Sequence, residues 1–272
     1  MANLDIIQAL ITGVVQGLTE FLPVSSSGHL VLTSSIYKFF TGQPLSSGGS
    51  EEIFFDIMLH IGTLVAVLIY FRQDIARLLK PGNEEKIPLY IIMGTFATVL
   101  VAFPLKDHFE ALVHTPSIVG IILMITGTLL YSTEYLSQKI TKKENLIGWK
   151  RALIIGIAQG LAVAPGLSRS GATIAAGLAT GLDRVTAARY SFLLSIPVIA
   201  LAGIFHSLEL GMNGGFTGFN WTAIIAGTLV AAVVGYYCIK YFIIFISKNK
   251  LHAFAIYCWV IGLLMTVFFT IF

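Results

Sequence analysis

The chain has 272 residues, of which 56% are hydrophobic and 11% are charged, with 17 Lys and Arg against 14 Asp and Glu. Soluble domains carry about 25% charged residues, so this composition excludes an ordinary soluble enzyme and indicates a polytopic membrane protein. The net charge of only +3, with basic residues grouped in short clusters, argues against a nucleic-acid partner.

The chain begins with two short apolar segments, near 4–21 and 26–40, which a turn rich in Pro, Ser and Gly separates. We predict a helical hairpin here, which either re-enters the membrane or crosses it twice. Three apolar runs follow, each long enough to cross about 30 Å of hydrocarbon. They cover 52–71, 88–105 and 115–138.

The same order of elements then recurs. A second hairpin is predicted near 147–164 and 170–180, and three further apolar runs cover 184–208, 219–246 and 252–271. The pattern predicts an all-α membrane protein with about ten helices and six full crossings. We expect a single membrane domain, 1–272, built from a first repeat, 1–140, and a second repeat, 141–272.

A stretch of twenty residues supports this division because it occurs twice. ALITGVVQGLTEFLPVSSSG, residues 9–28, returns 143 positions later as ALIIGIAQGLAVAPGLSRSG, residues 152–171, with ten identical positions. Both copies place Gly, Pro and Ser inside apolar sequence. Lipid tolerates this only where protein or a water-filled cavity satisfies the freed backbone groups. The two copies therefore point to a site within the membrane.

The distribution of basic residues predicts the orientation of the chain. Lysine and arginine are concentrated in three connections, 72–86, 139–151 and 248–250. Short cytoplasmic loops are enriched in these residues, and the other three connections hold only Lys106. We therefore expect both termini outside. Because three crossings separate the hairpins, they would enter from opposite sides as inverted-topology repeats, with tips that can meet near the midplane.

The first tip, residues 16–30, brings an acid, an imidazole and hydroxyl groups close together in sequence. Gln16 and Glu20 are four residues apart, so they share a face of a helix. The following turn adds His29 and three serines, Ser25, Ser26 and Ser27. An ionisable group inside a membrane costs about 3 kcal/mol on insertion scales. Glu20 and His29 are therefore candidate catalytic residues.

The second tip, residues 165–173, supplies a positively charged side chain. Arg169 stands between Ser168 and Ser170, with Thr173 one helical turn later. A guanidinium group binds phosphate oxygens through paired hydrogen bonds, and a turn that leads into a helix presents N–H groups to an anion. Arg169 is the third candidate catalytic residue. An alternative interpretation, a purely structural Glu20–Arg169 pair that locks the hairpins together, leaves the serines and His29 unexplained.

Weaker signals concern metals and cysteines. The chain has no CxxC, HExxH or phosphate-loop motif, so we expect neither a zinc site nor a nucleotide-driven pump. Any metal would be a hard cation, Mg²⁺ or Ca²⁺, held by Glu20 and phosphate oxygens, with Gln16 and Asp56 as weaker ligand candidates. Asp56 and His60 share a helical face and could line the same cavity. The two cysteines, Cys238 and Cys258, are expected to be buried and unpaired.

At the two tips the sequence resembles the bacterial undecaprenyl-diphosphatase family, also called the bacitracin-resistance or BacA-type phosphatases. The family's first signature is Glu or Gln, three residues, then Glu. It is matched by Gln16 and Glu20 and is followed by PVSSSGHL, which includes His29. The second signature, PGxSRSxxT, is matched at residues 165–173, and the similarity continues through FDIMLHIGT, residues 55–63. Many members carry Glu where this chain has Gln16, so Glu20 would carry more of the acidic function.

The resemblance implies a phosphatase of the bacterial cytoplasmic membrane. It would hydrolyse the terminal phosphate of undecaprenyl diphosphate, with an active site that opens to the outer side and bilayer lipids as surroundings. Glu20, His29 and Arg169 would be catalytic, with His29 as nucleophile or base and Glu20 binding metal or polarising the histidine. Substrate-binding groups would be Gln16, Ser25, Ser26, Ser27, Ser168, Ser170 and Thr173.

Two questions stay open at the level of sequence. Inverted repeats with broken helices are also the architecture of secondary transporters, so a prenyl-phosphate flippase or anion transporter is the alternative function. A histidine close in sequence to Glu20 favours a phosphatase over a transporter, because a phosphatase needs a nucleophile or base. The oligomeric state is also open, with a homodimer as one expectation.

Overall fold

A computed structural model describes residues 4–42, 49–80, 86–105, 115–141, 143–212 and 218–271. Within these ranges the chain forms eleven α-helices and no β-sheet. They are α1 Ile6–Thr19, α2 Ser26–Thr41, α3 Ser50–Tyr70, α4 Arg72–Leu78, α5 Ile87–Ala102, α6 Pro116–Gln138, α7 Trp149–Leu161, α8 Arg169–Ala179, α9 Arg184–Met212, α10 Trp221–Lys248 and α11 His252–Ile271. A short 3₁₀ turn, Phe103–Leu105, extends α5.

Six helices are long and apolar enough to span a membrane: α3, α5 with its 3₁₀ turn, α6, α9, α10 and α11. Each lies within a few residues of a predicted crossing, so the six predicted long apolar helices are confirmed. The chain is therefore a multi-pass, all-α membrane protein. The predicted outer connection 106–114, with Lys106, lies outside the described residues.

The sequence does not predict α4, which lies within the basic connection 72–86. Asp74 in α4 accepts hydrogen bonds from Arg77, at 3.1 Å, and from Arg189 of α9, at 2.6 Å. Arg189 also lies over the ring of Phe71, 5.6 Å from its centroid. The contacts of Arg189 hold α4 against α9, and α4 raises the expected count of about ten helices to eleven among the described residues.

The helices of the two hairpins are shorter than the crossings. At 1.5 Å per residue, the 14 residues of α1 and the 11 residues of α8 extend about 21 Å and about 17 Å. Both lengths fall short of about 30 Å of hydrocarbon. The lengths support broken helices that end inside the membrane, although re-entry itself stays a prediction.

The hairpins pack against the opposite halves of the chain. Helix α1 lies along α10, and α7 lies along α5. Both contacts depend on glycine: an added Cβ at Gly13 would lie 2.4 Å from the carbonyl oxygen of Gly227, and one at Gly156 would lie 2.3 Å from that of Gly94. Gly13 and Gly156 are equivalent positions of the repeat. This correspondence supports two related halves, and their inverted orientation stays a prediction.

The surface and interior fit a bilayer environment. Helix α5 exposes Ile92, Phe96 and Leu100, each about two-thirds accessible, and exposed apolar surface of this kind suits a membrane environment. Cys238 and Cys258 are both buried and free, as predicted.

Candidate active site

The two tips use the same local structure to begin their second helices. The Oγ atoms of Ser25 and Ser168 accept hydrogen bonds from the N–H groups of Gly28, at 3.2 Å, and Gly171, at 3.0 Å. A serine side chain in this position satisfies an N–H that the helix leaves unpaired. These capping serines and glycines are equivalent positions of the repeat, so the sequence identity has a direct structural cause.

The two tips contact each other. Ser170 donates to the carbonyl oxygen of Leu22 at 2.9 Å, and the N–H of Gly166 donates to Ser27 Oγ at 3.4 Å. Behind them, Thr126 of α6 donates to the Gly166 carbonyl at 2.9 Å and accepts from the Ser168 N–H at 3.1 Å. Sequence reasoning missed Thr126 because a threonine in an apolar crossing has no distinguishing signal.

The Glu20 carboxylate is the centre of the site. It is 5% exposed, and its Oε2 accepts from Gln16 Nε2 at 3.0 Å and from Ser26 Oγ at 2.6 Å. Arg169 Nη2 donates to Oε1 of the same carboxylate. The predicted meeting of acid and guanidinium is therefore present, and Ser26 and Gln16 belong to it.

Two buried polar atoms beside Glu20 have no hydrogen-bond partner in the structure. They are Nη1 of Arg169, a donor, and Oε1 of Gln16, an acceptor. Buried polar groups nearly always have partners in folded proteins, and leaving one unpaired costs about 1–3 kcal/mol. The guanidinium is therefore suited to bind a further acceptor, such as a phosphate oxygen, while it holds Glu20.

His29 lies at the start of α2 but does not touch Glu20. Its Nδ1 lies 2.7 Å from the Ser25 carbonyl oxygen, and its Nε2 lies 2.8 Å from the hydroxyl of Tyr257 on α11. The expectation that Glu20 polarises His29 is therefore wrong as a direct contact. The backbone explains the difference. Ser25 has φ of +67°, the one non-glycine residue with positive φ among those described, and its carbonyl holds the ring.

The histidine that faces Glu20 is His60 of α3. Its Nε2 lies 3.7 Å from Glu20 Oε2, and its Nδ1 lies 2.8 Å from the carbonyl oxygen of Asp56. Asp56 itself is exposed and shares with His60 the wall of a cavity of about 260 Å³. Asp56 is therefore part of the approach to the site rather than a neighbour of the Glu20 carboxylate.

The cavity begins beside the site, at Ser27 and His60, and extends toward one end of the described helices. Its lining includes Ser27, His60 and Lys38, and it reaches Glu52 and Pro116 near the ends of their helices. Lys38 is 4% exposed and donates to Glu52 at 2.8 Å. These helix ends adjoin the connections that carry few basic residues, which are the ones predicted to face outside.

The remaining predicted substrate ligands are used within the protein. Ser25 and Ser168 are caps, and Ser170 bonds to Leu22. Thr173 contacts Ser191 Oγ at 2.6 Å and donates to the Arg169 carbonyl at 2.8 Å. All four are at most 2% exposed, which differs from the expectation of direct ligand contact. In the structure Ser25 fixes the start of α2, and Ser168, Ser170 and Thr173 fix the turn that carries Arg169. Ser26 and Ser27 remain partly accessible.

Comparison with known proteins finds similar sequences across nearly the whole chain. The family model described as bacitracin resistance protein BacA matches residues 9–264. A protein of Halothermothrix orenii named undecaprenyl-diphosphatase is 41% identical over 99% of this chain and all of its own length. Proteins with the same name from Desulforapulum autotrophicum and Methanosphaera stadtmanae are 40% and 39% identical, each over 97% of this chain and 98% of the relative.

The match includes both tips, the residues Gln16, Ser26, His60 and Arg169 that contact Glu20, five of the six candidate membrane spans in full and the sixth as far as residue 264. We conclude that this chain belongs to the BacA family of bacitracin resistance proteins.

Proposed function

We propose that the protein is an undecaprenyl-diphosphate phosphatase. It hydrolyses the lipid-carrier diphosphate to undecaprenyl phosphate and inorganic phosphate, which returns the carrier to cell-wall precursor synthesis. The observation that carries the proposal is the Arg169 guanidinium, which binds Glu20 through Nη2 and has a buried, unpartnered Nη1. The names of the relatives supply the substrate class.

The groups of the site suit phosphoryl transfer, which depends mainly on positioning and on charge stabilisation at the phosphate oxygens. Arg169 and the accessible Ser27 hydroxyl would bind the diphosphate. His29 carries a proton on Nδ1, because the Ser25 carbonyl can only accept. Its Nε2 lone pair is therefore the atom that would serve as nucleophile or base. Glu20 would hold Arg169 in place.

A divalent cation, Mg²⁺ or Ca²⁺, fits the oxygen atoms beside Arg169. Gln16 Oε1 is buried without a donor and neighbours the Glu20 carboxylate, and hard cations prefer oxygen ligands. The described residues hold no cluster of three or more His, Cys, Asp or Glu. Gln16 and Glu20 would therefore hold the ion together with diphosphate oxygens and water. When bound, it would neutralise charge on the phosphate oxygens.

The test is phosphate release from undecaprenyl diphosphate by purified protein, with and without chelator. We expect Glu20→Gln, His29→Ala and Arg169→Ala each to lose about 100-fold or more in rate. His206→Gln, near the end of α9, should retain the parent rate. Parent-like hydrolysis by all three site variants would show that the site is assigned wrongly. Transfer of a labelled prenyl phosphate across vesicles without phosphate release would favour the flippase instead.

We further propose that the protein lies in the cytoplasmic membrane with both termini and the cavity on the outer side. Cysteine labelling tests this in a background where Cys238 and Cys258 are replaced. Gly49→Cys should label from outside and Gly148→Cys only from the cytoplasm, and a Cβ added at either position meets no atom within 4 Å. Reversed labelling would overturn the orientation. Cross-linking of the same preparation would test for a homodimer.

A further inference from the structure

Both nitrogens of His29 have partners, and these partners determine the protonation of the ring. The Ser25 carbonyl, 2.7 Å from Nδ1, can only accept a hydrogen bond. The proton of the neutral imidazole is therefore on Nδ1, and Nε2 presents a lone pair. That lone pair is the only basic atom that His29 offers.

The Nε2 lone pair accepts a hydrogen bond from the hydroxyl of a tyrosine. Tyr257 Oη lies 2.8 Å from Nε2, and since Nε2 is the acceptor, the hydroxyl is the donor. The two ring planes are within 6° of parallel, with centroids 5.6 Å apart. Tyr257 therefore fixes both the direction of the lone pair and the orientation of the imidazole ring.

The two partners of His29 differ in their freedom to move. His29 is 7% exposed and lies at the start of α2, whose cap at Ser25 is tied to Gly28. Tyr257 is 41% exposed and belongs to α11, in the other half of the chain. The contact joins residues 228 positions apart. The phenol can leave Nε2 by a side-chain rotation, whereas the Ser25 carbonyl cannot leave Nδ1 without unwinding the helix start.

We propose that Tyr257 is a positioning residue for the reaction, and that its hydroxyl holds the Nε2 lone pair of His29 until the reacting group of the substrate complex takes its place. The proposal rests on the phosphatase function proposed above. Loss of the hydroxyl removes the hydrogen bond to Nε2 and leaves the imidazole held at Nδ1 by the Ser25 carbonyl. The ring then samples other orientations, and Nε2 becomes available to external reagents.

Tyr257→Phe tests the proposal, with Tyr241→Phe as the matched control. Tyr241 is an exposed tyrosine on α10 whose ring lies near Tyr237 and Lys240. The first measurement is the rate at which diethyl pyrocarbonate modifies His29, followed by mass spectrometry of the peptide that contains it. We expect a clear increase in Tyr257→Phe and no change in Tyr241→Phe.

The second measurement is steady-state hydrolysis. We expect kcat of Tyr257→Phe to fall about tenfold, the factor that corresponds to one ordinary hydrogen bond, with KM within about twofold of the parent. A merely structural role would change KM or the unfolding temperature without exposing Nε2.

Support requires both changes in Tyr257→Phe, and an unchanged modification rate or an unchanged kcat overturns the inference. A parent protein that releases no phosphate would instead overturn the proposed function.

Discussion

Ser26 and Arg169 occupy the same position in the two copies of the repeat, and both donate a hydrogen bond to the same carboxylate. Ser26 Oγ lies 2.6 Å from Glu20 Oε2, and Arg169 Nη2 contacts Oε1. Each residue follows a capping serine, so one backbone arrangement presents a hydroxyl from one half and a cation from the other. The site is asymmetric, because Val163 and Ala172 stand where Glu20 and His29 stand in the first copy.

Substitutions of Glu20 and Arg169 should have non-additive effects on the free energy of unfolding. Removing one partner of a buried pair typically costs about 3–5 kcal/mol, because the other charge is left unpaired. We expect Glu20→Gln and Arg169→Gln each to destabilise the protein, and the double variant to lose about 1–3 kcal/mol less than the sum. Unfolding in mixed micelles by increasing SDS measures all three. Additive losses would show that the contact carries no coupling.

A carboxylate at position 16 should raise the affinity of the site for a divalent cation. Gln16 Nε2 is 3.0 Å from Glu20 Oε2, so Gln16→Glu places two negative charges side by side, which a cation relieves. We expect the concentration of Mg²⁺ or Ca²⁺ that gives half-maximal phosphate release to fall about tenfold or more.

The matched control for that change is Gln159→Glu, at the equivalent position of the second copy. Gln159 is also buried with an unpartnered Oε1, but its Nε2 donates to Thr98. Gln159→Glu should destabilise the protein without changing the cation requirement. Equal responses of the two variants would exclude a cation site at Gln16.

His60 should affect the rate of hydrolysis only modestly, because it is not the catalytic imidazole. His60 is about one-third exposed, and its Nε2 lies 3.7 Å from Glu20 Oε2, which is beyond hydrogen-bond distance. We therefore expect His60→Gln to lower kcat/KM by about threefold, as measured by steady-state phosphate release. A loss of 100-fold, with His29→Ala still active, would assign the catalytic imidazole to His60 instead.

The glycine contacts of the two hairpins should respond alike to alanine. In Gly13→Ala the new Cβ would lie 2.4 Å from a backbone oxygen of α10, and in Gly156→Ala 2.3 Å from one of α5. Overpacking of this kind costs about 1–3 kcal/mol. We expect both variants to unfold at lower SDS fractions. Gly148→Ala, whose Cβ meets nothing within 4 Å, should match the parent, and a parent-like Gly13→Ala would contradict the packing of α1 on α10.

Sequence patterns predicted the crossings well because a membrane imposes a minimum apolar length, and each crossing shows that length locally. They also predicted the contact of Glu20 with Arg169, because intramembrane charges need partners. They could not predict α4, whose packing depends on Arg189, more than a hundred residues later along the chain. Nor could they predict that His29 binds Tyr257, because the backbone at Ser25 determines where the ring points.

The packing of α1 on α10 has a consequence for biosynthesis. During translation, α1 is made roughly two hundred residues before the helix that it packs against, and Glu20 is made 149 residues before Arg169. Until then a carboxylate and several polar turn residues lack their permanent neighbours. The polar groups of the nascent hairpin must therefore be accommodated at the translocon, at the water interface or by a chaperone. The native packing is complete only after the last three crossings have been synthesised.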